Sequence, residues 1–203
     1  MIKINKTKKY PNYTRVILAS QSETRREMLN KYFSQVICIP HNIDEEKFKA
    51  QKKDPETIVL EIAKEKARSV AKDYPNEMII ASDQILKCEG EILSKPKTKQ
   101  SAINKLLFLK NKTHELYSSI YVIQKTKFYF QQFKTASLFF ANVTKKDIES
   151  YVKNNVETVL STVGSYKIEE NAKFKFIQIM KGDRETILGF PIKGLIEKIA
   201  NEK

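Results

Sequence analysis

Three short apolar runs, "RVILAS" (15–20), "QVICIP" (35–40) and "EMIIASD" (77–83), are each separated from the next by a polar, helix-length segment. The first separator is "SETRREMLNKYF". The second is "DPETIVLEIAKEKARSVAKDYP", opened by Asp-Pro and closed before Pro75. Asp-Pro suits a helix start because the first turn needs no proline N–H, and a second proline stops the helix where its ring would clash. Strands joined through helices cannot be hairpin partners, so the chain is predicted to begin βαβαβ.

After "KPKT" a further helix, "KQSAINKLLFLKN", is expected, and then the period changes. "ELYSSIYVIQ", "KFYFQQF" and "ASLFFANV" read as strands at hairpin-like spacing, which predicts an antiparallel continuation of the sheet. A helix "KKDIESYVKNN" follows, then "FKFIQIMKGDRETILGFP" as strand, turn and strand, and a closing helix "IKGLIEKIANEK". The fold class is α/β with a mixed sheet. No repeat, linker or composition break divides the chain. The domain reading is a basic extension over 1–13 and one domain over 14–203.

Composition narrows the function. No apolar run approaches the roughly 20 residues that span a bilayer, and "MIKINKTKKYPNY" has no apolar centre of the kind a secretory signal needs, so a cytoplasmic protein is expected. Cys38 and Cys88 make neither a disulfide framework nor a metal pair, and both are expected in the core. The net charge of +13 comes mainly from lysines spread along the whole chain, beside abundant Ile and Asn. Scattered lysines usually form a solvated surface, so no dedicated nucleic-acid partner is expected.

Three features could carry chemistry. In "SQSETRR" a strand hands over to a helix, exposing backbone N–H groups at the positive end of the helix dipole. Ser20 and Ser22 add hydroxyls there, and Arg25 and Arg26 add N–H forks that match phosphate oxygens. The plain alternative is a serine cap followed by surface arginines. Asp83 follows six mostly apolar residues, which places it at or near the carboxyl end of a buried strand, where open α/β sheets bind ligands. Glu45 follows "QVICIP" in the same way. Lys66 shares the helical stripe of Val59, Ile62, Ala63 and Val70, so it points inward, toward an edge or a buried anion. Lys95, after a Gly-containing turn and a short strand, is positioned to face the same cleft. Together these residues offer hydroxyls and cations for a polyphosphate, and carboxylates to hold a divalent metal and activate water.

The pieces "LASQSETRREML", "IDEE" with "AKEKAR", "ASDQIL", "GEILSKPKT", and "VGSYKIEE" with "GDRETILGFPI" resemble, in that order, the Maf nucleotide pyrophosphatases. The resemblance implies a mixed twisted sheet flanked by helices, in two lobes with a cleft, similar to inosine triphosphate pyrophosphatases. It implies hydrolysis of a nucleoside triphosphate to monophosphate and pyrophosphate with Mg²⁺ or Mn²⁺. By position it gives Asp83 and Glu45 as catalytic carboxylates and metal ligands, with the choice of base left open. Ser20, Ser22 and Arg25, with Arg26 beside it, fall on the phosphate grip, and Lys66 and Lys95 on the family's lysines.

"SDQ" and "GSYKIEE" look more like the branch that prefers 7-methyl-GTP than the dTTP/UTP branch, which makes Gln84 and Glu169 specificity residues. Thr24 stands where that branch often carries an aromatic residue, Glu23 where the family usually has proline, and Glu170, Asn171 and Ala172 replace a glycine-containing turn. The alternatives are a dTTP/UTP pyrophosphatase, or a catalytically weak scaffold that binds nucleotide or RNA. The expected partner is a nucleoside triphosphate, with no membrane; the oligomeric state is open, a homodimer being one form.

Overall fold

The computed structural model describes Tyr10, residues 15–51 and residues 53–202. The expected basic extension over 1–13 therefore lies, Tyr10 apart, outside the described residues.

The chain runs β1 (Arg15–Leu18), α1 (Glu23–Asn30), β2 (Gln35–Cys38), α2 (Glu45–Lys49), α3 (Pro55–Ala71), β3 (Met78–Cys88) and β4 (Glu91–Leu93). It continues through α4 (Lys99–Leu109), β5 (Lys112–Gln124), β6 (Lys127–Phe140), α5 (Lys145–Asn154) and α6 (Val156–Ser161). A 3-10 turn (Ile168–Glu170) leads into α7 (Asn171–Phe174), β7 (Ile177–Lys181), α8 (Arg184–Ile187) and α9 (Lys193–Asn201). The seven strands form one sheet in the order β2-β1-β3-β5-β6-β7, with β4 antiparallel to β3. β1 pairs parallel with both β2 and β3, as a βαβαβ unit requires. Among the described residues no helix is long and apolar enough to cross a membrane.

Three expectations are corrected. β3 does not end near Asp83 but runs on to Cys88, so Asp83 lies in mid-strand. The partner strand is what ends: β1 stops at Leu18 opposite Ile80, and the Ala19 N–H closes the pair on Ile80 O at 2.9 Å. "KFYFQQF" and the "ASLFF" of "ASLFFANV" are one continuous strand, β6, because nothing in Lys134-Thr135 interrupts an extended backbone. "RETIL" is not a strand. Asp183 Oδ1 accepts from both the N–H and the hydroxyl of Thr186 at 2.8 Å, which caps a single helical turn.

The chain forms two compact units. The first comprises 1–83, 118–133 and 188–203, and the second 84–117 and 134–187. β3, β5 and β6 are each continuous through a boundary, so the sequence carries no linker there.

In the first unit the strand alternation sorts the core. Val16, Leu18, Met78, Ile80, Ile120 and Val122 pack with α1 and α9 through Met28, Leu29, Leu195, Ile196 and Ile199. Ile17, Ala19, Ile79, Ala81, Tyr121 and Ile123 pack on the other face with Ala63, Ala67, Val70 and Ala71 of α3. Both faces being covered explains why these strands read as continuous apolar runs. The second unit has its own core, built on Leu106, Leu109, Leu138, Phe140, Val152 and Val159. Cys88 is buried there, whereas Cys38 in the first unit is half-buried, and both are free thiols.

Candidate active site

The alternation that sorts the core also sorts the polar residues of β3. Asp83 continues the face of Ile79 and Ala81, toward α3, whereas Ser82 continues the face of Ile80, toward α9. On α3, Lys66 shares the buried stripe of Ala63, Ala67 and Val70 and is 4% exposed. Strand and helix thus bring the two charges together: Lys66 Nζ donates to Asp83 Oδ1 at 2.7 Å.

The same ammonium lies 2.7 Å from Glu45 Oε1. Glu45 is the first residue of α2, whose cap is the Asp44 side chain accepting the Glu46 N–H. Two more groups hold it: Lys49 Nζ, one turn on, is 3.4 Å from Oε2, and His41 Nε2 is 3.4 Å from Oε1. Burial works to raise the Glu45 pKa, but the His41 and Lys66 hydrogen bonds and the Lys66 and Lys49 charges hold it far below the ordinary glutamate range. Burial likewise opposes the charge on Lys49, yet the Glu46 hydrogen bond and the carboxylates of Asp83, Glu45 and Glu46 raise its pKa overall. Asp83 Oδ2, by contrast, is buried without a hydrogen-bond partner among the described residues.

The segment "SQSETRR" belongs to the same unit. Ser22 caps α1, its hydroxyl accepting the Arg25 N–H at 3.4 Å, and Ser20 Oγ accepts the Ser22 N–H at 3.2 Å. Arg25 turns inward and donates from Nη1 to Ser82 O at 2.8 Å. Burial lowers its pKa, partly offset by the charges of Asp83 and Glu45; the guanidinium remains a cation. Ser82 Oγ donates to Gly189 O at 2.6 Å, fixing the loop before α9. Gly189 has φ of +75°, a conformation in which a side chain would be strained.

The structure thus gathers Ser20, Ser22, Arg25, Glu45, Lys66 and Asp83. It does not gather Arg26, which is exposed and paired with Glu23 at 2.5 Å. Thr24, on the first turn of α1, is half-buried.

Three other predicted residues belong to the second unit. Gln84 spends its amide donors on Thr186 O and Ile187 O, both at 3.1 Å. Lys95 is exposed, in a loop that Lys105 anchors through Ser94 O and Val163 O. Glu169 is exposed on the 3-10 turn. Here the missing glycine turn finds its substitute: Asn171 donates to Ile177 O at 2.6 Å and accepts the Ile177 N–H at 2.8 Å. Glu170 accepts from Tyr151 and Thr158, which ties the turn to α5 and α6.

Sequence reasoning missed His41, Lys49 and Ser82. Lys49 was within reach, since Glu45 and Lys49 have the i,i+4 spacing of a helical ion pair. Ser82 was readable from strand alternation beside Asp83. His41 gave no signal, because nothing local shows which way it turns.

A family model described as "Maf-like protein" matches residues 15–202. A "Nucleoside triphosphate pyrophosphatase" of Legionella pneumophila (strain Corby) is 31% identical over 190 residues, covering 93% of this chain and 94% of that protein. A "dTTP/UTP pyrophosphatase" of Pyrococcus abyssi is 33% identical over 184 residues, covering 91% and 94%. Among solved structures, the Ham1 protein of Staphylococcus aureus aligns with a TM-score of 0.53 at 18% identity, over 93% of this chain and 100% of that one. That likeness concerns the fold alone.

Proposed function

The chain belongs to the Maf family, and from that premise we propose how its residues perform the hydrolysis of a nucleoside triphosphate to monophosphate and pyrophosphate. The observation that carries the reading is the Glu45–Lys66–Asp83 group beside Arg25, in which Lys66 and Asp83 are buried, Glu45 is half-buried and one Asp83 oxygen is unpartnered.

In this reading Asp83 Oδ2 is the proton acceptor for the attacking water. The atom is buried and lacks a donor, while Oδ1 is fixed by Lys66, so the carboxylate is already oriented. Arg25 and Lys66 supply fixed positive charge against the charge that develops on the departing pyrophosphate. Ser20 and Ser22 complete the grip at the start of α1. Lys95 enters from the family resemblance as a further phosphate ligand.

The donor set fits a divalent cation, held by Asp83 and Glu45. Among the described residues no group of three or more His, Cys, Asp or Glu could hold a metal, so the remaining ligands would be water and phosphate, as is usual for Mg²⁺. When bound, such an ion supplies charge neutralisation at the phosphate oxygens.

For the base we propose 7-methyl-GTP, on the strength of the exposed Glu169 carboxylate, which suits guanine N–H groups and offsets the positive charge of N7 methylation. Gln84 acts indirectly, by holding the Thr186–Ile187 backbone. The second reading, dTTP or UTP, is favoured by relatives such as that of Pyrococcus abyssi.

The test is pyrophosphate release from a panel of nucleoside triphosphates with Mg²⁺ or Mn²⁺, comparing the unmodified protein with Asp83→Asn. We expect release of pyrophosphate and not orthophosphate, and a loss of about 100-fold or more in the variant. Full activity of Asp83→Asn would sink the assignment.

A further inference from the structure

In the first unit the β5–β6 hairpin turns on two residues, Lys125 and Thr126, with φ of 47° and 64°. Two left-handed residues make the tight turn that suits strand twist, but Asn-Gly is the pair that adopts it without strain. Lys and a β-branched Thr are strained there, and burial does not repay it, because residues 125–128 are all exposed. The turn presents Phe128, which is 60% exposed.

Phe128 is not a stray apolar residue. Its ring packs against the buried Tyr121, with centroids 5.5 Å apart and planes tilted by 54°, so it is held in place by the core. Beside it lies a groove of about 350 Å³ lined by Arg68, Lys72, Tyr121, Ile123 and Phe128. Arg68 and Lys72 come from the end of α3, Lys125 is in the hairpin turn and Lys127 follows it; all four are exposed. Among the described residues that line the groove none is acidic; of the acids next to these cations in sequence, Glu65 accepts from Arg68 at 3.0 Å and Asp73 is exposed. The balance is positive.

We propose that this groove binds single-stranded nucleic acid, with a base stacked on Phe128 and backbone phosphates on Lys72, Lys125, Lys127 and the N–H groups of Arg68 that Glu65 leaves available. An exposed, supported aromatic face ringed by cations is how single strands are held without reading their sequence. A duplex keeps its base faces stacked and would leave Phe128 unused. A membrane surface would need more apolar area than one ring, and an acidic peptide would not need the ring. The groove takes no residue from the catalytic group.

The experiment is fluorescence anisotropy with a labelled oligouridylate of about 12 nucleotides. Phe128→Ala should weaken binding about 5-fold or more, and Phe128→Tyr should restore it. Turnover of nucleoside triphosphate by Phe128→Ala should be unchanged. Lys72→Ala should weaken binding and flatten its salt dependence, whereas the remote pair Lys145→Ala/Lys146→Ala should do neither. The proposal is overturned if the unmodified protein does not bind the oligonucleotide, or if Phe128→Ala binds as tightly as the unmodified protein. It is overturned equally if the remote pair matters as much as Lys72, or if Arg25→Met weakens strand binding as much as Phe128→Ala does, which would place the strand in the catalytic group.

Discussion

Lys66 Nζ stands 2.7 Å from Asp83 Oδ1 and 2.7 Å from Glu45 Oε1, so one ammonium is shared between two carboxylates. Removing one member of a buried ion group leaves uncompensated charge, which typically costs about 3–5 kcal/mol. Lys66→Met should therefore lose stability of that order at pH 7.5 as well as turnover. Mg²⁺ or Mn²⁺ should restore part of the melting temperature, because the cation would replace the missing charge. Lys64→Met, on a different face of α3, should change neither. Insensitivity of the Lys66→Met melting temperature to the cation would contradict the charge-balancing role.

Arg25 and Arg26 are adjacent in sequence and opposite in circumstance. Arg25 reaches Ser82 O, whereas Arg26 pairs with Glu23 at the surface. Arg25→Met should lower kcat/KM about 100-fold, the scale of losing a fixed charge on a transferring phosphoryl group, and Arg26→Met less than about 3-fold. Steady-state kinetics of the two variants decides it; equal losses would mean that both arginines reach the substrate.

His114 is 1% exposed, next to Tyr166, and burial pushes its imidazolium down to about 4. A histidine that titrates near 6.5 when unfolded and near 4 when folded binds more protons in the unfolded state between those values. Its contribution is fully present above about 6.5 and is lost as pH falls toward 4. Denaturant unfolding at pH 7 and pH 5 should show the unmodified protein losing stability on acidification, and His114→Gln losing markedly less.

Glu169 is exposed on a turn that Asn171 locks in place. The protein should hydrolyse 7-methyl-GTP faster than dTTP or UTP, and Glu169→Gln should narrow the gap by removing the charge. Competition assays with paired substrates measure the ratio directly. A preference of the unmodified protein for dTTP or UTP would reverse the choice of base and leave the hydrolysis itself untouched.

The strands of the first unit were legible because they are buried on both faces, and α3 because Asp54, Pro55 and Pro75 bracket a clear stripe. That stripe also gave Lys66 its inward direction, while its two carboxylate partners come from residues 21 before and 17 after it, a pairing that no local pattern records. Asp83 looked like a strand end because "EMIIAS" runs out of apolar residues. The sheet instead loses β1 at Leu18, and loss of a neighbour leaves no mark on the strand that remains. The one-turn helix at Arg184–Ile187 was hidden because its cap is a single Asp183–Thr186 contact inside a segment rich in β-formers.

The opposite allegiances of Ser82 and Asp83 set a rule for how this segment can change length. Inserting one residue after Ile80 would turn the serine toward α3 and move the carboxylate to the place from which the Gln84 amide now donates to Thr186 O and Ile187 O, stranding Lys66 opposite a hydroxyl and setting an acid against two carbonyl oxygens. Related chains that add or lose residues should do so in the connections, and the spacing of Ser82 and Asp83 from Ile80 should be kept.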